Sequence, residues 1–309
     1  MIRLTAFLRL IRWPNLLFIA LTQCMFRYFV LPFVYSGSHT GYIAVKLSDT
    51  LFLLLVAASV CIAAGGYIIN DYFDVNIDHV NKGNKVIVGS IIKKRLAIVW
   101  HALLSLAGLA LSIYVGLRIN NLYLALFNFL AILMLWFYST SFKKRLLIGN
   151  VIISLLTAWV ILVMTFAEFR FRISTDDIVW QRLLKVSFIY AGFACIISLV
   201  REVVKDIEDI EGDMRYGCKT MPIVWGVQVS KVFCAVWIVV LVVAVSAMQF
   251  YVLQLGWWFS ALYSLLLIII PLGWVLRKLY TATSKEDFHR LSIAVKMIMF
   301  TGIMSMVFF

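Results

Sequence analysis

Nine apolar runs, at about 16–35, 51–69, 96–117, 121–138, 147–167, 183–204, 229–252, 257–276 and 291–309, occupy most of this 309-residue chain, and each approaches the roughly 20 residues that a helix needs to cross a bilayer. Lipid offers no partner to an unpaired backbone amide or carbonyl, so only helices and closed barrels span it. The runs are continuously apolar and lack the alternation of a lipid-facing strand, which predicts an all-α polytopic membrane protein. A content of 63% hydrophobic and 14% charged residues excludes an ordinary soluble domain. The first run is long, has no small-residue cleavage pattern and follows Arg3, Arg9 and Arg12, so it reads as a retained helix and not a signal peptide. The five cysteines (Cys24, Cys61, Cys195, Cys218, Cys234) form no C-x-x-C pair, and only Cys218 lies clearly outside a run; neither a disulfide framework nor zinc is indicated.

A net charge of +13 would suggest nucleic acid in a soluble protein. Here the basic residues sit in loops, where the positive-inside rule applies and no nucleic-acid partner is expected. Placing the N-terminus in the cytoplasm puts twenty of the 28 Lys and Arg residues on that side, leaving Lys46, Arg118, Arg170, Arg172, Arg182 and Lys185 outside and Arg27 and Lys296 within spans. The expectation is a multi-pass protein of the cytoplasmic membrane, with its N-terminus and polar loops inside the cell.

No linker or soluble domain interrupts the spans, so residues 1–309 read as one transmembrane domain. Of fifteen acidic residues, nine fall in two cytoplasmic windows: Asp71, Asp74 and Asp78, then Glu202, Asp206, Glu208, Asp209, Glu211 and Asp213. A shift of 135 residues carries Asp71, Asp74 and Asp78 onto Asp206, Asp209 and Asp213, and Asn15 onto Asn150. That shift spans four helices, an even number, as in a parallel internal repeat with halves of about 1–135 and 136–270 and a ninth helix left over.

On a helix, positions i, i+3 and i+7 point at about 0°, 300° and 340°, so each triplet forms one acidic stripe. One such carboxylate would read as a solvated residue at a helix end, but solvation demands no spacing, and two triplets share this one. Converging carboxylates need a cation between them. Mg²⁺ fits, because it takes oxygen ligands from a few carboxylates together with water and substrate phosphate. Asp71, Asp74, Asp78, Asp206, Asp209 and Asp213 are the expected metal ligands, and Asp71, Asp74, Asp206 and Asp209 carry the catalytic assignment. Asn70 can add a neutral oxygen, while Lys143, Arg145, Arg201 and Lys205 are candidate phosphate contacts. His39, His79, His101 and His289 share no ligand spacing and read as interfacial or packing residues, with only His79 near the site. Arg27 and Lys296 either line a cavity or snorkel to an interface.

The stretch Asn70-Asp71-Tyr72-Phe73-Asp74-Val75-Asn76-Ile77-Asp78 resembles the N-D-x-x-D-x-x-x-D signature of the UbiA family of intramembrane prenyltransferases, and Asp206-Ile207-Glu208-Asp209-Ile210-Glu211-Gly212-Asp213 resembles its second motif. Arg12-Trp13-Pro14-Asn15 is similar to the start of that family's first helix, and Tyr138-Ser139-Thr140-Ser141-Phe142-Lys143 to its Y-S-x-x-x-K segment, which adds Asn15 and Tyr138 to the substrate-binding set. The resemblance implies a bundle of nine helices around a central cavity, Mg²⁺ on the two Asp motifs, and a lateral opening for an isoprenoid tail. It also implies ionisation of a prenyl diphosphate followed by attack of an acceptor on its first carbon.

The string from Arg201 to Asp213 looks most like the branch that prenylates geranylgeranylglyceryl phosphate, which makes an ether lipid. An aromatic quinone precursor such as 4-hydroxybenzoate is the alternative acceptor, and a cation-coupled transporter the reading from another class. Transporter sites lie near the bilayer midplane at broken helices, whereas both motifs here begin at cytoplasmic helix ends. After Asp78 that branch commonly continues N-x-P-x-R-P-I-P-S-G, where this chain has Asn81-Lys82-Gly83-Asn84-Lys85-Val86-Ile87-Val88-Gly89. The prolines are absent and Lys85 stands for Arg, which changes how that loop would grip a phosphate.

Overall fold

The computed structural model describes residues 2–36, 47–83, 86–168 and 178–309. His39, Lys46, Asn84, Lys85, Arg170 and Arg172 lie outside the described residues, as do the side chains of Arg3 and Lys82. Among the described residues there is no strand, only an isolated bridge between Val88 and Ile92. Nine helices among the described residues are long and apolar enough to cross a membrane: Trp13–Ser36, Asp49–Asn81, Lys94–Arg118, Tyr123–Thr140, Ile148–Glu168, Ile178–Glu208, Val227–Gln254, Trp258–Thr281 and Lys285–Phe308. They coincide with the nine apolar runs, and the protein is an integral, multi-pass, all-α membrane protein. The helices outrun the runs where polar turns continue past the apolar stretch, most of all in the second span, whose helix extends to Lys82.

Local chemistry sets several ends. Ser48 caps the second span by accepting from the Leu51 amide, and Pro14 sits at the start of the first, where its missing N–H costs nothing. The first and eighth spans each widen into a π turn, Phe26–Val30 and Leu265–Ile269. Pro32 and Pro271 follow these turns, and the wider turn accommodates a ring that would clash with the carbonyl four residues back.

The chain divides into two compact units. The first comprises Met1–Lys143 and Trp159–Phe188. Within it the second span packs chiefly on the third, and small residues set the distance between them. A Cβ on Gly108 would stand 2.6 Å from Ile62 Cγ1 and 3.0 Å from the Ala58 carbonyl, and one on Gly65 2.7 Å from Ser105 Oγ. With lipid as apolar as leucine, such close packing and interhelical hydrogen bonds hold spans together. His101 Nδ1 lies 3.0 Å from the Gly65 carbonyl, and Asn128 links Ser112 Oγ (2.8 Å) to Trp159 Nε1 (2.9 Å). Gly108→Ala is expected to lower the unfolding free energy by about 1–3 kcal/mol through overpacking against a backbone carbonyl. SDS titration in mixed micelles reads this, and an unchanged midpoint would remove the close approach from the account.

The loop residues Val86, Val88 and Ile92, between the second and third spans, are buried in this unit with Ala6, Leu10, Ile68, Val75 and Ala97. The segment where the family branch places prolines therefore folds back by apolar contact onto the helix that bears the first acidic motif. Of the two expectations for Arg27, the contacts fit the one in which it reaches the end of its span: its side chain, 10% exposed, bonds the Leu47 carbonyl at 2.8 Å and the exposed Asp49, first residue of the second span, at 3.2 Å.

The second unit comprises Lys144–Ala158 and Ile189–Phe309. Its core is drawn at helical spacing from four spans: Ile197, Val200, Val204 and Ile207; Cys234, Ile238 and Leu241; Ile268, Leu272, Val275 and Leu279; and Leu291, Val295 and Ile298. All five cysteines are free, and Cys218 lies between spans as expected.

Candidate functional site

The first acidic motif occupies the last turns of the helix Asp49–Lys82. Arg12 Nη2 donates to Asp71 Oδ1 at 2.8 Å, and the guanidinium also stacks 5.0 Å from the centre of the Tyr67 ring. Burial is the largest influence and opposes the Arg12 charge, but Asp71, Tyr67 and Asp78 together outweigh it and raise the group above its ordinary value. Asp74 pairs with Lys143, whose side chain is 10% exposed against 14% for the carboxylate. Asp78 is buried. Asn70 Oδ1, on the same helix turns as the motif carboxylates, is buried without a hydrogen-bond partner.

The second motif follows a different backbone path. Asp206 stands in the last turn of Ile178–Glu208, the helix breaks at Asp209 (φ −97°, ψ 7°), and a short helix, Ile210–Arg215, resumes with Asp213. The expected single stripe is thus interrupted. Four neighbouring carboxylates repel on one helix face, and Asp favours the capping position it takes here. The Asp209 amide still donates to the Lys205 carbonyl (2.9 Å) and the Asp213 amide to the Asp209 carbonyl (3.2 Å), so the i,i+4 relation survives the bend. Asn150 Nδ2, itself buried, donates to Asp206 Oδ2 at 2.8 Å. Lys205 lies 3.8 Å from Asp209, and Arg201 bonds its neighbour Glu202 at 2.9 Å.

Of the remaining sequence candidates, Asn15 and Tyr138 are half-buried on the first and fourth spans, and Arg145 is exposed. Three residues that sequence reasoning left out of the site touch motif carboxylates. Arg12 was quoted in a motif yet read as one more interior charge. Asn150 was signalled by the 135-residue shift from Asn15. His289, read as ordinary and remote, has Nδ1 2.8 Å from Glu208 Oε1, so the expectation that only His79 lies near the site is corrected. Nothing in the sequence marks His289, because the contact depends on packing between spans. Arg12 and Leu147, 135 residues apart, are both left-handed (φ 53° and 57°) immediately before a span, three residues ahead of Asn15 and Asn150.

Among the described residues no three His, Cys, Asp or Glu side chains gather as a metal-binding group. The donor set nevertheless suits Mg²⁺: hard oxygens only, with an unpartnered Asn70 oxygen and carboxylates held by exchangeable cations. Mg²⁺ typically takes one or two carboxylates and draws its other ligands from water and phosphate.

Residues 28–302 match the model of the UbiA prenyltransferase family. A digeranylgeranylglyceryl phosphate synthase of Sulfurisphaera tokodaii is 34% identical over 193 residues, 62% of this chain and 64% of that one, just under two thirds of the relative's length. The synthase of the same name from Methanosphaera stadtmanae is 30% identical over 82% of this chain and 86% of its own. Among solved structures, a digeranylgeranylglyceryl phosphate synthase superposes with a TM-score of 0.64 at 24% identity, covering 99% of each chain. A UbiA homologue from Archaeoglobus fulgidus bound to DMAPP and Mg²⁺ gives 0.55 at 15% identity, over 97% of this chain and 98% of that one; both establish the shared fold. With a family match that runs from the first span into the ninth and takes in both acidic motifs, the chain belongs to the UbiA prenyltransferase family and is a membrane-embedded prenyltransferase.

Proposed function

We propose that this prenyltransferase moves a geranylgeranyl group from its diphosphate to the free glycerol hydroxyl of a geranylgeranylglyceryl phosphate lipid, forming an ether lipid. The observation that carries the acceptor is the similarity to digeranylgeranylglyceryl phosphate synthases, reinforced by the Arg201–Asp213 string. In the reaction the bond between the prenyl C1 and the diphosphate oxygen breaks, the hydroxyl oxygen bonds C1, its proton is lost, and diphosphate leaves.

Asp71, Asp74 and Asp78, with Asn70, and Asp206, Asp209 and Asp213 would hold Mg²⁺, a reading supported by the Archaeoglobus homologue. When bound, Mg²⁺ neutralises the charge that develops on the departing diphosphate. Arg12 and Lys143 sit against motif carboxylates, and Arg201 and Lys205 flank the second motif, so each is suited to take phosphate oxygens. Asn150 fixes the orientation of Asp206. We further assign the active face to the cytoplasm from the distribution of Lys and Arg, and the two motifs to halves of a parallel repeat, which the paired left-handed residues Arg12 and Leu147 support.

The test is transfer from radiolabelled geranylgeranyl diphosphate by purified protein, with and without Mg²⁺, offering geranylgeranylglyceryl phosphate and 4-hydroxybenzoate in parallel. Mg²⁺-dependent label in the glyceryl lipid is expected. Label in the aromatic product alone would overturn the acceptor and keep the enzyme class.

A further inference from the structure

The ninth span has no counterpart in the repeat, and the chemistry above makes no use of it. Its first turn is nevertheless firmly fixed. Ser284 Oγ accepts from the Asp287 amide at 3.2 Å, while Asp287 Oδ2 accepts from the amides of Ser284 and Thr283, both at 3.1 Å, a reciprocal capping box. The next residue, Phe288, is buried in the core of the second unit. The buried Lys231 ammonium lies 5.8 Å from its ring centre and donates to the Tyr280 carbonyl at 3.4 Å. This anchored turn presents His289 to Glu208.

The Glu208 side chain is 13% exposed, and the ring that meets it 60%. Oε1 is 2.8 Å from His289 Nδ1, and Oε2 is buried with no hydrogen-bond partner. A nearly desolvated carboxylate therefore depends on a ring delivered by another helix. Glu208 is also the last residue of the sixth span's helix, directly before the backbone departs from helical geometry at Asp209. On that helix it stands about 200° from Asp206. It holds the back of the helix end, while Asn150 holds Asp206 from the front.

We propose that His289 is a positioning residue for the second acidic motif: by holding Glu208 it fixes the helix end from which Asp206 projects and the bend that sets Asp209 and Asp213. The inference rests on the reading that this motif ligates a divalent cation. Partners that orient a ligand set commonly change metal affinity by about 10–100-fold when removed.

The experiment titrates purified protein with Mn²⁺, read by electron paramagnetic resonance in the presence of geranylgeranyl diphosphate, beside thermal unfolding without metal. His289→Ala is expected to weaken Mn²⁺ binding by about tenfold while leaving the metal-free unfolding temperature close to that of the unsubstituted protein. His289→Gln keeps an N–H donor and should recover most of the affinity. Should the alanine variant fail to fold, Glu208→Leu, which removes the acceptor of the His289 contact, carries the same expectation. Mn²⁺ affinity within about twofold of the unsubstituted protein, or equal weakening in the glutamine variant, would overturn the proposal. Unsubstituted protein that binds no Mn²⁺ would instead remove the metal reading of the motif, and this inference with it.

Discussion

Asp71→Ala and Asp206→Ala are each expected to lower prenyl transfer by about 10²–10³-fold or more, the scale seen when charge stabilisation at a departing group is removed. The two substitutions leave different things behind. Asp71→Ala strands the Arg12 guanidinium that the carboxylate now holds at 2.8 Å, so a cation remains to attract diphosphate and turnover should fall more than KM rises. Asp206→Ala strands the Asn150 amide instead, a neutral donor that cannot substitute for a ligand. Steady-state kinetics with labelled geranylgeranyl diphosphate separate the two patterns, and thermal unfolding checks that each variant is folded. Unsubstituted-like turnover in either would sink the metal assignment of its motif.

The second large effect concerns stability. Lys143 and Asp74 form a pair with both side chains almost fully covered. Breaking a buried ion pair by deleting one partner costs on the order of 3–5 kcal/mol, because the surviving charge stays desolvated and unopposed. Lys143→Met should therefore unfold at a distinctly lower temperature in metal-free detergent solution. Mg²⁺ should recover part of the loss by supplying the missing positive charge beside Asp74, so the variant gains more from Mg²⁺ than the unsubstituted protein does. A variant that melts like the unsubstituted protein would show that Asp74 does not depend on Lys143, and one that Mg²⁺ fails to stabilise would argue against Asp74 as a ligand.

Hydropathy made the spans legible because lipid imposes a length and forbids unpaired backbone, so each apolar run had one available structure. The first motif was legible for a related reason: Asp71, Asp74 and Asp78 continue a helix whose phase was already set. The break at Asp209 was not, since a helical wheel assumes continuity and four crowded carboxylates defeat it. Arg12 and His289 escaped notice because their partners lie 59 and 81 residues away in sequence, and no periodicity connects them. Asn150 lay between these cases, visible as the image of Asn15 under the repeat but without a stated role. Arg27 was legible as a charge that must reach the end of its span, but its partners there, the Leu47 carbonyl and the exposed Asp49, were not.

The ion pairs on the first motif also bear on the speed of substrate capture. Bare carboxylates would repel an incoming diphosphate well before contact. With Arg12 on Asp71 and Lys143 on Asp74, those two charges are cancelled at short range, and the field felt farther off is governed by the chain's surplus of 13 positive charges. On the proposed function, a lipid diphosphate diffusing in the membrane plane is expected to be drawn toward a site made of acids, at a rate that falls as ionic strength rises.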